Sequence, residues 1–269
     1  MLDLRTYKPE KFPDLIERIW IAENKEEAIH LLVPPNQYVN VIIPLNNSTY
    51  SHNEKWIQTP QIEGLTLQST YLQYTENTKL IGIRFYPHGL QSFVNVTGKQ
   101  IINSSIDLQS FLNDNAILSA EMHSNNNDDI LSYIYSLLTE LFNKKNYEQS
   151  KIIRDYYQYF RGDNSMISIE EYCKQNHTNY TSLNRFFTKI IGISPKRFER
   201  LIKFRKSLCS IIDSDDSLTN IGVDSGYFDQ AHFIREFKMF LNSTPSAYQS
   251  LIKTADRESK IINYNFRLF

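Results

Sequence analysis

Two short clusters of side chains, Thr181, Asn184 and Arg185 in one and Gln230, Ala231, Ile234 and Arg235 in the other, carry the groups that pair with nucleic-acid base edges. Arginine can span O6 and N7 of guanine, and asparagine and glutamine can span N6 and N7 of adenine. The clusters stand at equivalent places in a repeat. A shift of 49 lays Ser168, Ile169, Tyr172, Cys173 and His177 on Ser217, Leu218, Ile221, Gly222 and Gly226. A shift of 50 lays Asn179, Leu183, Arg185, Phe187, Ser194, Pro195 and Phe198 on Asp229, Phe233, Arg235, Phe237, Thr244, Pro245 and Tyr248, so the second copy has one added residue in its turn.

Catalytic chemistry finds no comparable constellation. The histidines, His30, His52, His88, His123, His177 and His232, include no HxH or HxxxH pair, whereas a metal-binding barrel needs ligands that converge from neighbouring inward positions. His88, following Tyr86 and Pro87 at a strand end, is the one histidine to watch. Glycine-rich phosphate loops, GxSxG and CxxC are missing. Cys173 and Cys209 both fall in predicted helices and read as small core residues; two scattered cysteines cannot supply a disulfide framework or a cysteine-rich zinc site. The chain is therefore expected not to be an enzyme, with no catalytic residues, no metal and no cofactor.

The elements that must position the two clusters are helices. Ser168 and Ser217 can cap a first helix in each copy, and Asn179 and Asp229 a second, because their oxygens accept from amides left unpaired at a helix start. Leu183, Phe187 and Ile190 mark the buried side of one second helix, and Phe233, Phe237 and Phe240 that of the other, which turns both clusters outward. Small residues at Cys173 and Gly222 allow close helix approach. Gly226 suits a turn that needs positive φ, and His177 is less comfortable in its place. A helix between the copies starts at Ser194 and Pro195. From Arg185 to Lys206 the chain holds eight basic residues against Glu199 alone. Lys189, Lys196, Arg197, Lys203, Arg205, Lys206 and, further on, Lys238 are the candidates for neutralising phosphates.

ISIEEYCKQNHTNYTSLNRFFTKIIGISPKRFERLIKFRKSL followed by SLTNIGVDSGYFDQAHFIREFKMFLNSTPSAYQ resembles the DNA-binding domain of AraC/XylS-type transcriptional regulators. The resemblance covers roughly the last two-fifths of the chain, with GYFDQAHFIREFK and TPSAYQ as its strongest part. It implies two helix-turn-helix units, about 168–192 and 217–241, joined by a linker helix, about 194–212, that sets two recognition helices in successive major-groove segments. The base readers it implies are the seven residues named first. His177 departs from the usual turn glycine, and Cys173 and Gly222 stand where alanine is common.

Before these units the pattern is different. YVNVIIPL from Tyr38, LTLQSTYLQY at 65–74, KLIGIRFYP at 79–87 and Trp56-Ile57-Gln58 read as strands. Residues 1 to about 30 read as an extended start followed by a helical or mixed segment containing Trp20, and the stretches 87–96, 107–112 and 130–142 read as helical. NNNDD at 125–129 reads as a solvated turn, and Lys144, Lys145 and Asn146 as a hinge. The expected fold is thus α+β: a β-rich barrel or sandwich with flanking helices over 1–145, and an all-α domain over 146–269 with two helix-turn-helix units on a linker helix. VPPNQYVNVIIPL, GIRFYPHGLQSFVNV and DLQSFL are similar to an amino-terminal domain of one subgroup of these regulators, which implies a cupin-like domain that senses a small molecule or dimerises.

Trp20, Tyr38, Asn40, Trp56, Arg84 and Tyr86 are candidates to line a barrel cavity, where a few polar groups among aromatic walls fix an organic ligand. A buried Arg84 would demand an anionic partner, either a ligand carboxylate or a local glutamate. The plainer reading turns Arg84 outward and packs the aromatics as core.

Composition agrees with a DNA-binding part. The 269 residues have net charge −1, but 1–149 carry −6 and 150–269 carry +5. No apolar segment approaches the ~20 residues of a membrane span, and no leader pattern is read, so a cytoplasmic protein is expected. The expected partner is double-stranded DNA; a small-molecule effector, RNA polymerase, and a monomeric or homodimeric state stay open, as does a ligand-independent regulator whose amino-terminal domain only dimerises or docks a partner.

Overall fold

A computed structural model describes residues 2–112, 124, 126–161 and 168–258, and the chain is α+β. His123, and Asn125 of the solvated turn, lie outside the described residues. The strands are β1 Leu2–Tyr7, β2 Ile16–Asn24, β3 Ile29–Val33, β4 Val39–Leu45, β5 Tyr50–His52, β6 Lys55–Ile57, β7 Gln61–Glu63, β8 Thr70–Tyr74, β9 Thr78–Phe85 and β10 Ser105–Asp107. They form two antiparallel sheets, ordered β1-β2-β9-β4-β7-β10 and β3-β8-β5-β6. Neither sheet closes on itself, so the sandwich expectation holds and the barrel does not.

The large sheet is covered on both faces, which explains its almost unbroken apolar strands. Trp20, Ile42 and Leu80 point toward the small sheet and meet Leu31, Tyr50, Leu72 and Tyr74. Ile21, Val41, Ile43, Ile81 and Ile83 point the other way. There they pack on Ile130, Ile134 and Leu138 of α2, Asn127–Leu141. The segment containing Trp20 is a strand, not a helical or mixed one: buried residues on both faces remove the alternation that would have marked it. Trp20 pairs with Gly82 across the sheet. A Cβ at Gly82 would sit 2.0 Å from the indole, so glycine is required for the ring to lie across β9.

Helical expectations near the sheet are only partly met. Within 87–96 a single 3-10 turn forms, Leu90–Ser92, and within 107–112 another, Leu108–Phe111. Between them lies α1, Gly98–Ile101. Lys144, Lys145 and Asn146 form no open hinge but begin α3, Lys144–Gln149, whose Tyr147 packs on the first core. α4, Lys151–Arg161, belongs with the second core through Ile153, Tyr156, Tyr157 and Phe160.

Six further helices complete the described residues: α5 Ile169–Gln175, α6 Tyr180–Ile190, α7 Pro195–Asp213, α8 Leu218–Asp224, α9 Gln230–Leu241 and α10 Pro245–Glu258. Phe198, Leu201, Phe204 and Leu208 run along α7 as the spine of the second core, each fully buried. None of the described helices is long and apolar enough to cross a membrane.

Candidate nucleic-acid interface

Each helix-turn-helix is set by its caps. The Ser168 and Ser217 hydroxyls accept from the amides of Glu171 and Asn220 at 3.2 Å. Asn179 Oδ1 accepts from the Ser182 amide at 2.9 Å, and Asp229 Oδ1 from the His232 amide at 2.7 Å. Ser194 caps α7, with Pro195 as its first residue. These bonds satisfy amides that have no partner within a helix and fix where α6 and α9 begin. Both turns have positive φ, 83° at Gly226 and 49° at His177. Gly222 lets the second unit close, since a Cβ there would approach the Phe233 ring to 3.1 Å.

With Leu183, Phe187, Phe233 and Phe237 buried, the two reading faces look outward. Thr181, Arg185, Gln230, Ala231 and Arg235 are exposed, and Asn184 and Ile234 half-buried. Arg185 rests its guanidinium 5.4 Å from the Phe186 ring. A cleft of about 1230 Å³ lies between the units, and Lys174, Lys196 and Lys203 line it together with the starts of both second helices. Glu199, the acid of the basic stretch, also lines the cleft, as does Glu170. Burial raises the pKa of Glu199, and its carboxylate accepts from the Tyr156 hydroxyl at 2.8 Å.

Sequence reasoning missed the apolar rim of this cleft. Phe228 is 92% exposed, and Tyr180 and Val223 also stand in solvent. The repeat held the signal: Phe228 falls opposite Thr178, between a buried Tyr227 and the capping Asp229, where a large apolar side chain has no core to enter.

Of the phosphate candidates, Lys189, Lys196, Arg197, Lys206 and Lys238 are exposed and Lys203 is half-buried. Arg205 is a correction. It is 6% exposed, turned inward from α7, with Nη1 lacking a hydrogen-bond partner, so it cannot reach a phosphate from this position. Its neighbour on the helix, Arg200, is committed elsewhere: Nε and Nη2 donate to the Glu236 carboxylate at 2.7 and 2.9 Å, tying α7 to α9. Such a two-point pair fixes orientation as well as distance.

The six candidate ligand residues of the amino-terminal half do not share a cavity. Trp20 is sealed between the sheets, whereas Trp56 is 52% exposed on the outer side of the small sheet. Tyr38, Asn40, Arg84 and Tyr86 do come together. Arg84 is buried, which overturns its outward reading, and the local glutamate is its partner: Nη1 lies 3.9 Å from Glu17 Oε2. Nε donates to Asn40 Oδ1 at 3.3 Å, and the guanidinium lies 5.1 Å from the Tyr38 ring. Burial lowers the Arg84 pKa to about 10, with Glu17 opposing and Arg18 and Arg205 adding to the fall, so it stays charged at neutral pH.

A second buried polar group lies between the sheets. Tyr50 donates to Glu63 at 3.1 Å, and His52 Nε2 lies 3.9 Å from the same carboxylate. Distance alone would make that an ion pair, but burial lowers the His52 pKa and raises that of Glu63 to about 7, working against charge on both. Among the described residues no three His, Cys, Asp or Glu side chains converge as metal ligands. His88 is buried, with Nε2 donating to the Asp14 carbonyl at 3.0 Å and its ring against Tyr86 and Tyr157.

The first unit is joined to the amino-terminal half by backbone contact. Gln91 Nε2 donates to the Ile190 carbonyl at 2.8 Å, capping the end of α6. A Cβ at Gly98 would lie 2.1 Å from the Gly192 nitrogen, and Gly192 itself has φ 91°, so two glycines make this approach possible. Lys189 lines a pocket of about 290 Å³ at the same joint with Gln91 and Asn146.

Comparison with known proteins gives two family matches. A helix-turn-helix domain model matches residues 172–250, and a domain of unknown function, DUF6597, matches residues 5–107. The lactose operon transcription activator of Staphylococcus xylosus is 26% identical over 183 residues, 58% of this chain and 66% of that one. An uncharacterized HTH-type transcriptional regulator of Haemophilus influenzae is 31% identical over 68 residues, 25% of this chain and 23% of that one. One from Staphylococcus aureus is 25% identical over 111 residues, and there the chain spans 14% of the relative's length. Among solved structures, ToxT from Vibrio cholerae superposes with a TM-score of 0.44 at 12% identity, covering 93% of this chain and 98% of that one.

Proposed function

We propose that this chain, which carries an AraC-type helix-turn-helix domain behind an amino-terminal DUF6597 domain, is a sequence-specific DNA-binding transcriptional regulator. The observation that carries the reading is the mounting of two outward reading faces, each begun by a side-chain cap, on the single helix α7. α6 and α9 enter adjacent major-groove segments about one turn apart, ~34 Å. Thr181, Asn184 and Arg185 read one segment, and Gln230, Ala231, Ile234 and Arg235 the other. Lys196, Lys203 and Lys206 neutralise the phosphates between them. The amino-terminal domain modulates this output, through a small organic ligand or protein contacts, and its route is the Gln91 and Gly98 joint to the first unit. The protein works in the cytoplasm.

Selection of duplexes from a randomised pool by the full-length protein, followed by fluorescence-anisotropy titration, tests this. Arg185→Ala and Arg235→Ala should each cost about 1–3 kcal/mol on the selected duplex and little on random DNA, as for a lost bidentate base contact. Equal losses on selected and random DNA would reject the assigned base-reading roles.

A further inference from the structure

We infer that the second reading helix recognises thymine methyl groups, with Phe228 as the residue that seats against them. The inference rests on the DNA-binding reading and specifies what one of its two segments must contain. Phe228 is 92% exposed, the most solvent-exposed of the large apolar side chains among the described residues. It is held there by construction. Its own amide lies 3.4 Å from His232 Nδ1, the next residue Asp229 caps α9, and the preceding Tyr227 ring is buried against Phe233 at 5.0 Å. The backbone therefore cannot rotate Phe228 inward without exposing Tyr227 or losing the cap. A phenyl ring fixed in water gains free energy only from a surface that covers it.

The second reading face also differs in kind from the first. Beside Phe228 it presents Ala231 and Ile234, whereas the first presents Thr178, Thr181 and Asn184 at the corresponding places. In the major groove the one apolar feature on a base edge is the C5 methyl of thymine, and alanine, phenylalanine and the threonine methyl are groups that meet it. The apolar contacts of the segment under α9 thus come from Phe228, Ala231 and Ile234, with Gln230 and Arg235 at its polar edges, whereas the segment under α6 meets side chains that also form hydrogen bonds. The operator half under α9 therefore carries at least one thymine methyl within reach of Phe228.

The test uses the full-length protein and a synthetic duplex carrying the sequence it selects. Thymines are replaced one at a time by deoxyuridine, which removes the methyl and keeps the Watson–Crick pairing. At one or more positions in one half, each removal should weaken the wild-type protein about fourfold, the equivalent of one buried methyl group. Phe228→Ala should bind the unmodified duplex roughly tenfold more weakly and lose its sensitivity to uracil in that half alone; Phe228→Leu should keep part of both. Because the ring touches no core, both variants should melt with the wild type, and a thermal melt confirms that they are folded. Two results would overturn the inference while leaving DNA recognition intact: wild-type affinity and uracil sensitivity in Phe228→Ala, or selected sites with no thymine in either half. Failure to bind any duplex would overturn both.

Discussion

Arg84 and Glu63 show how single residues resolve what the surrounding pattern leaves open. An arginine in an alternating strand reads as outward, because alternation usually places the polar residue in solvent. Here its strand is covered on both faces, and Glu17, sixty-seven positions earlier, supplies the charge that burial requires. For Glu63 the candidate counter-charge is His52, and burial works against its protonation. The Glu63 carboxyl is raised from the ordinary 4.5 to about 7 by burial, so between those values the folded protein keeps a proton that the unfolded chain has lost. The Glu63 contribution to stability should therefore fall as pH rises from 4.5 to about 7 and level off above, opposed by His52, whose lowered pKa makes its own contribution rise with pH. Glu63→Gln should abolish the falling contribution and, above pH 7, gain on the order of 3 kcal/mol over wild type. Urea unfolding at a series of pH values checks this, and parallel profiles for the two proteins would contradict it.

At the scale of elements, the carboxy-terminal helices were legible because their signals are local. Ser168, Asn179, Ser194, Ser217 and Asp229 each cap the helix they precede. Leu183, Phe187 and Ile190 repeat at helical spacing and are buried. The strand holding Trp20 was not legible, because what makes it a strand is pairing with β1 and β9 rather than anything within it. Arg205 failed as a phosphate contact for a related reason: basic composition does not say which side of α7 faces the amino-terminal half. The duplicated turn yields a prediction. His177 occupies φ 49° where Gly226 occupies φ 83°. A non-glycine residue there costs about 1–2 kcal/mol, and glycine gives back about 0.5–1 through the freedom of the unfolded chain. His177→Gly should thus stabilise the protein by roughly 0.5–1 kcal/mol in denaturant melts, whereas Gly226→His should destabilise it.

Across the whole molecule, the acidic and basic halves meet at a joint made of backbone. Gln91 holds the end of α6, and Gly98 lies against Gly192 with no room for a side chain. Composition separated the halves by charge, but nothing local could reveal this contact, because a glycine in a turn looks the same whether it faces water or another backbone. Gly98→Ala should push the first unit away from the amino-terminal half while leaving α9 in place. DNA affinity should drop, with the loss confined to the segment under α6 in a footprint of the full-length protein; an unchanged footprint would show that the joint does not set the position of the first helix.

On the proposed function, two similar helices on one linker read two neighbouring stretches of a single duplex. Methylation interference at guanine N7, on a selected duplex with wild type, Arg185→Ala and Arg235→Ala, tests it most directly. Two clusters of interfering purines are expected on one face of the DNA, about one helical turn apart, with each variant erasing a different cluster. A single cluster, or both clusters fading alike in both variants, would contradict it.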